Sequence, residues 1–265
     1  MPLKPILLGK LPVSRFILGG NPFSGFSHQS GPRDREMLSY HTTASIKQTL
    51  RHAEALGITT HISRGDHHVI RYLREYWDEG GNIDWICQTC PMVGTLEQVI
   101  DNGLYNGAKA IFFHGGMMDR RVRENSQLDE LPKMVDKVRK AGLPVGVAGH
   151  TPETFVWAQQ NLDLDFYMCA YYSLKWQSKG PGDYEETYDP ATREAMVACI
   201  KDLNKPAIHY KVLAAGRLDP TEALHFVARH LRPNDAVCVG ICLKDNPQSM
   251  QENLRALEEG IAKVR

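Results

Sequence analysis

Short apolar runs alternate along this chain with longer stretches in which apolar positions recur every three or four residues. The short runs fall at 15–20, 58–63, 84–89, 108–114, 144–149, 165–171, 207–213 and 235–241, and they predict eight strands, each followed by a helix. In the segment after the first strand, Ile46, Leu50, Ala53 and Leu56 share one face, as an amphipathic helix laid on a sheet requires. Helix starts are punctuated. Thr95-Leu-Glu-Gln98 and Ser249-Met-Gln-Glu252 read as capping boxes, and Thr151-Pro152, Asp189-Pro190 and Asp219-Pro220 place a cap residue before a first-turn proline.

No Ser-, Gly- or Pro-rich linker divides these units, so residues 1–265 are expected to form a single domain. Eight βα units in about 250 residues is the rhythm of a closed (β/α)₈ TIM barrel. The competing architecture is an open doubly wound sheet. It would call for Gly-x-Gly-x-x-Gly after the first strand, which Gly19-Gly20-Asn21-Pro22-Phe23-Ser24-Gly25 does not supply. Two connections are long. One runs from Asn21 to His41 with Phe23, Phe26 and His28, and the other from Leu174 to Asp189 with Trp176, Tyr184 and Tyr188. On a barrel both lie at the C-terminal rim, as a lid over a polar substrate or as surface decoration.

Composition narrows the partners. In 265 residues, Lys plus Arg and Asp plus Glu both number 31, leaving no basic excess for phosphates, so nucleic acid is not an expected partner. No apolar run approaches the roughly 20 residues of a membrane span, and the first ten residues are too interrupted for a signal-peptide core. A cytoplasmic protein without membrane attachment is expected. Six cysteines, at 87, 90, 169, 199, 238 and 242, fall mostly in apolar runs and read as reduced core thiols.

Histidines stand at the ends of predicted strands: His61 in 60–68, His114 in 112–116, His150 in 147–150 and His209 in 208–211. Imidazole binds transition metals and moves protons near neutral pH, and the C-terminal rim of such a barrel is where chemistry is kept. The run 119–124, Asp-Arg-Arg-Val-Arg-Glu, reads as a solvated loop or, alternatively, as an anion clamp.

Ile6-Leu-Leu-Gly-Lys-Leu-Pro-Val-Ser-Arg-Phe-Ile-Leu-Gly-Gly20, Ala55-Leu-Gly-Ile-Thr-Thr60, Tyr210-Lys-Val-Leu-Ala-Ala-Gly216 and Val239-Gly-Ile-Cys with Met250-Gln-Glu-Asn-Leu254 follow one another in order. Together they resemble the aldo-keto reductase superfamily over nearly the whole chain. The resemblance implies an N-terminal hairpin closing the barrel bottom, with Tyr210 against a nicotinamide and Glu252 and Asn253 near the adenine end of NAD(P)H. It also places His114 at the family's strand-four histidine. The other members of the reductive tetrad are not matched: His61-Ile-Ser-Arg-Gly-Asp66 occupies the Asp-to-Tyr stretch, and Cys90 stands for the lysine. Ala148, Gly149 and Met168 replace the polar groups that would hold the carboxamide, so NADPH is expected to bind weakly or not at all.

The replacements are metal-ligand types. The expectation is therefore a divalent transition metal on His61, His114 and His150, with Asp66 or His209 moving a proton beside catalytic His114. The activity would be elimination, hydration, isomerisation or hydrolysis of a small hydroxylated or carbonyl, sugar-type molecule. A divergent NAD(P)H-dependent carbonyl reductase is the alternative, and a non-catalytic barrel binding a sugar or a protein is the second.

Overall fold

A computed structural model describes residues 3–264. The chain opens with an antiparallel hairpin, β1 (Ile6–Leu8) and β2 (Leu11–Val13). Barrel strands and helices then alternate: β3 (Phe16–Gly19), α1 (Gly31–Tyr40), α2 (Thr43–Ala55), β4 (Thr60–Arg64), α3 (His67–Asp78), β5 (Asp84–Gln88), α4 (Leu96–Tyr105) and β6 (Ala110–Phe113). The second half continues with α5 (Gly115–Glu124), α6 (Glu130–Lys140), β7 (Val145–Gly149), α7 (Pro152–Asn161) and β8 (Phe166–Ala170). A second hairpin, β9 (Leu174–Gly180) and β10 (Asp183–Tyr188), precedes α8 (Pro190–Asp202), β11 (Ala207–Tyr210), α9 (Pro220–His230), β12 (Ala236–Gly240) and α10 (Ser249–Val264). The eight parallel strands close in the order β11-β12-β3-β4-β5-β6-β7-β8, so the expected TIM barrel is the observed fold.

Each barrel strand is buried on both faces, and its residues divide between two apolar layers with a period of two. Ile17, Ile62, Ile86, Phe112, Phe166 and Ile208 fill the barrel interior, together with Ile6, Leu8 and Val13 of the first hairpin, which plugs the N-terminal mouth. Leu18, Trp85, Ile111, Val147, Tyr167 and Val237 point outward into the helix layer. Burying one such side chain contributes about 1.5–3 kcal/mol, so both layers hold the strand register firmly.

Most helix starts follow the sequence. Thr95 and Gln98 form the reciprocal capping box, and Asp189 and Asp219 accept from the backbone N–H of Ala191 and Glu222 at 2.9 Å each. Thr151 holds the cap position before Pro152 without accepting from the helix backbone; its hydroxyl contacts that of Thr154 at 3.3 Å. The box expected at Ser249 is not formed. Ser249 is already inside α10, its Oγ has no partner, and the Glu252 carboxylate accepts from Asn246 Nδ2 at 2.7 Å instead.

The two long connections are ordered and packed on each other. Gly31 N donates to Asp183 Oδ1 at 3.0 Å, Tyr184 Oη donates to Asp34 Oδ1 at 3.0 Å, and Arg35 donates to the Gly182 carbonyl at 2.9 Å. At Gly31 the two backbones come so close that a Cβ would lie 2.1 Å from the Gly182 oxygen. The α1 segment and the β9–β10 hairpin thus pack as one layer, here termed the lid. Among the described residues, no helix is long and apolar enough to cross a membrane.

Candidate active site

Strand alternation sorts the rim residues. Ile62, Ile86, Phe112, Ala148 and Ile208 face the barrel interior, so Arg64, Gln88, His114, His150 and Tyr210, two residues further on, continue the same inner row at the C-terminal mouth. His61 and His209 have the opposite parity and face the helices.

That parity corrects two expectations. His61 is fully buried; its Nδ1–H donates to the Leu18 carbonyl at 3.0 Å, and its Nε2 accepts from the Tyr72 hydroxyl at 2.8 Å. Burial pushes its pKa down to about 4, so the ring is neutral with no free nitrogen. It cannot join His114 and His150 around an ion, and among the described residues no three His, Cys, Asp or Glu side chains are placed to hold a metal. His209, also fully buried, accepts from Tyr171 Oη at 2.9 Å and contacts Asp235 Oδ2 at 3.2 Å, so it belongs to a structural network rather than to the rim. Asp66 lies beside the rim but is engaged: one oxygen caps α3 by accepting from Val69 N at 3.0 Å, and the other pairs with Arg64. It positions Arg64, whose guanidinium lies 4.2 Å over the Phe26 ring of the lid loop.

His150 is the centre of a relay. Asp119 Oδ2 accepts from His150 Nδ1 at 2.7 Å, and Oδ1 accepts from the His150 backbone N–H at 3.0 Å and from Thr154 Oγ1 at 2.7 Å. Burial would raise the Asp119 pKa, but the hydrogen bonds from His150 and Thr154 outweigh it and hold the carboxylate below its ordinary range. With Nδ1–H given to Asp119, the Nε2 lone pair faces Tyr210 Oη at 3.3 Å. Burial keeps the Tyr210 phenol protonated, well above its usual range. The run 119–124, read as a loop, is therefore part of α5. Its Arg121 is buried against Glu130 at 2.7 Å.

His114 caps α5: its Nδ1 accepts from Met117 N at 3.3 Å, and its backbone N–H donates to Thr89 Oγ1 at 3.0 Å. Its pKa is pushed down to about 4, first by burial and then by the neighbouring His150 and Lys211 side chains. The neutral ring therefore carries its proton on Nε2, a donor with no partner among the described residues. Lys211 follows Tyr210 in the left-handed region at φ 56°, a conformation that costs a non-glycine residue of order 1 kcal/mol or more. No carboxylate lies within ion-pair distance of its ammonium among the described residues, and burial lowers its pKa to about 8 against the opposing fields of Glu186 and Asp119.

The lid supplies a further pair. Asn21 Nδ2 contacts His28 Nε2 at 3.2 Å, and His28 Nδ1 donates to Glu186 at 2.9 Å. Burial lowers the His28 pKa against the opposing hydrogen bond with Glu186, and the nearby Lys211 charge lowers it further. Asp119, Lys211 and Glu186 were not singled out from sequence; the available signal was an ionisable residue inside an otherwise apolar strand end at 211. Asn253 is buried on α10, and Glu252 is turned onto Asn246.

Gly115 makes the relay possible. A Cβ there would stand 2.9 Å from His150 Cε1 and 3.1 Å from Tyr210 Oη. Gly115→Ala is expected to leave the fold intact at a cost of about 1–3 kcal/mol, because the added methyl is overpacked against His150 and Tyr210. It should nevertheless lower turnover by about tenfold or more by pushing His150 off Asp119. Thermal melts beside initial rates check this, and equal loss of both would show that Gly115 serves only packing.

The sequence matches no family model and no curated protein. Solved structures are similar in fold. An aldo-keto reductase-type protein from Pseudomonas aeruginosa is 17% identical over 97% of this chain and 94% of its own, with a TM-score of 0.63. A truncated 3-deoxy-D-arabino-heptulosonate 7-phosphate synthase from Thermotoga maritima is 14% identical over 99% and 92%, with a TM-score of 0.57. An N-acetylmannosamine-6-phosphate 2-epimerase from Clostridium perfringens is 13% identical over 80% and 86%, with a TM-score of 0.51. At such identities the likeness is one of fold, and this chain is a TIM barrel whose chemistry must be read from its own rim.

Proposed function

We propose that this protein is an acid/base enzyme that isomerises, epimerises or dehydrates a small hydroxylated, sugar-type substrate at the position next to its carbonyl. The observation that carries this reading is the Asp119–His150–Tyr210 relay on the inner face of the rim, with the neutral His114 N–H at the neighbouring strand end. The His114 Nε2–H would donate to the carbonyl oxygen as negative charge develops there. Losing such a donor typically costs about 2.7–4 kcal/mol of transition-state stabilisation. His150 Nε2, oriented by Asp119, would take the proton from the adjacent carbon or hydroxyl and return it, while the Tyr210 hydroxyl yields its long hydrogen bond to the substrate.

The donor set does not fit the three-histidine ion expected from sequence, because His61 has both ring nitrogens bonded on the helix side of the barrel wall, away from His114 and His150. In this reading the His114 N–H does the polarising instead. The sugar-type assignment is supported by the polar inner row Arg64, Gln88, His114, His150 and Tyr210, and by the barrel enzymes of sugar chemistry among the similar folds.

The test is solvent exchange. A panel of small aldoses, ketoses and keto acids is incubated with the protein in D₂O and followed by NMR. Enzyme-dependent deuterium incorporation beside the carbonyl of at least one member is the expected result, together with no NADPH binding in a fluorescence titration. Turnover of the panel with NADPH oxidation and no exchange would overturn the reading in favour of a carbonyl reductase with Tyr210 against the nicotinamide. Neither exchange nor oxidation would favour a binding barrel without chemistry.

A further inference from the structure

Lys211 has no place in the acid/base relay, yet its position is built with care. It is the first residue after β11, beside Tyr210, and its left-handed backbone is fixed by the Ala214 N–H donating to the Lys211 carbonyl at 3.0 Å. The preceding peptide is tied to the neighbouring strand end by Tyr171 N donating to the Tyr210 carbonyl at 3.0 Å. Ala214 and Ala215 are also left-handed, at φ 46° and 56°, so a strained segment without glycine at these positions holds this one side chain at the mouth. The side chain is partly buried, and its charge acts on His28 of the lid and on His114 at the floor, while Glu186 and Asp119 act on it. It therefore stands between lid and relay without a carboxylate in ion-pair contact. A structural lysine in that setting would be expected to close onto one of the two carboxylates.

We propose that Lys211 Nζ is a covalent nucleophile that forms an imine with the carbonyl of the substrate, an inference that rests on the carbonyl reading of the site. The step balances from the chain's own groups. The lone pair of the neutral amine attacks the carbonyl carbon, and the C=O π pair takes a proton on oxygen to give a carbinolamine. A second proton transfer lets that hydroxyl leave as water, and the nitrogen pair forms the C=N bond. In sum, amine, carbonyl compound and one proton give a protonated imine and one water. The His150–Asp119 pair can exchange those protons, and the negative charges of Glu186 and Asp119 act on the position of the iminium. The iminium draws electrons from the neighbouring carbon more strongly than a carbonyl does, and His150 then removes the proton there. Water reverses the first step and restores the amine. The chemistry needs an unprotonated amine, and burial supplies it by bringing Lys211 down to about 8.

The experiment is reductive trapping. The protein is incubated briefly with dihydroxyacetone, glycolaldehyde or pyruvate and treated with borohydride. Intact mass and peptide mapping should show one adduct at Lys211, with a mass gain equal to the carbonyl compound less one oxygen atom. Lys211→Arg keeps the cation without the nucleophile, and Lys211→Met keeps the length without the charge. In both, trapping at that site should be lost and single-turnover exchange in D₂O should fall by about a hundredfold or more. The trapping rate of the wild type should rise with pH and level off above about 8. Exchange that persists in Lys211→Arg with no adduct in the wild type would overturn the covalent step while leaving the acid/base reading intact. Absence of both adduct and exchange in folded wild type would overturn both. Adducts spread over surface lysines and unchanged in Lys211→Arg would also overturn the proposal.

Discussion

Asp235→Ala is expected to destabilise the protein by about 3–5 kcal/mol, the usual cost of removing one partner from a buried, hydrogen-bonded charge pair. Asp235 is fully buried just before β12. Its carboxylate accepts from Ala207 N at 2.8 Å, from Arg232 N at 3.0 Å and from Arg232 Nε at 2.9 Å, and it contacts His209 at 3.2 Å. Its backbone carbonyl accepts from Arg15 at 3.1 Å, so the same residue joins the starts of β3, β11 and β12. The alanine variant leaves the Arg232 guanidinium and the His209 ring without their anion. Burial works to raise the Asp235 pKa, but His209 and Arg232 overcome it and hold the group far below the usual carboxylate range. The stability it contributes is therefore fully present above the unfolded-state value of about 3.9 and is lost as the pH falls below it toward the depressed folded value. Urea unfolding at neutral pH and near pH 3 measures both effects: the wild-type advantage over Asp235→Ala should be large at pH 7 and smaller at pH 3. A difference below about 1 kcal/mol at neutral pH would show that the network carries little net energy.

Asp119→Asn is expected to reduce turnover by about 10²–10⁴-fold with little change in KM. The carboxylate accepts from His150 Nδ1, which leaves Nε2 as the base; an asparagine amide can donate to Nδ1 and so favours the tautomer with the proton on Nε2. Asp119 points at His150 and Thr154 rather than into the open mouth, so the loss should fall on kcat. Solvent-exchange rates at saturating and limiting substrate separate the two parameters. A loss below about threefold, or one confined to KM, would remove Asp119 from the proton relay.

The barrel was legible because each βα unit repeats the same local signals. All eight apolar runs became strands, and four of the five marked helix starts hold at the marked residue. The fifth failed at Ser249 because a cap motif one residue inside a helix reads the same as one just before it. Which histidines reach the site was legible only in part. In a parallel barrel both faces of a strand are buried, so polarity does not mark the inner row, and a shift of one residue exchanges the faces. Thr-His-Ile-Ser-Arg thus offers His61 and Arg64 with equal force, although only Arg64 is inward. Asp119 and Lys211 were hidden for another reason. Their significance comes from elements remote in sequence: the α5 carboxylate beside the histidine that follows β7, and the lysine that follows β11 within the electrostatic reach of Glu186 on the β9–β10 hairpin.

The contact between Gly31 and Gly182 has a consequence for anyone who would re-engineer this barrel. Loops on such a rim are often exchanged one at a time, each treated as a separate cassette. Here the connection after β3 and the connection after β8 share a backbone-to-backbone seam that admits no side chain, reinforced by Asp183, Asp34 and Arg35. A graft of either alone brings a foreign surface to a seam that only its original mate fits. The two must be transplanted as a pair, and random libraries confined to one of them will be dominated by variants whose mouth no longer closes.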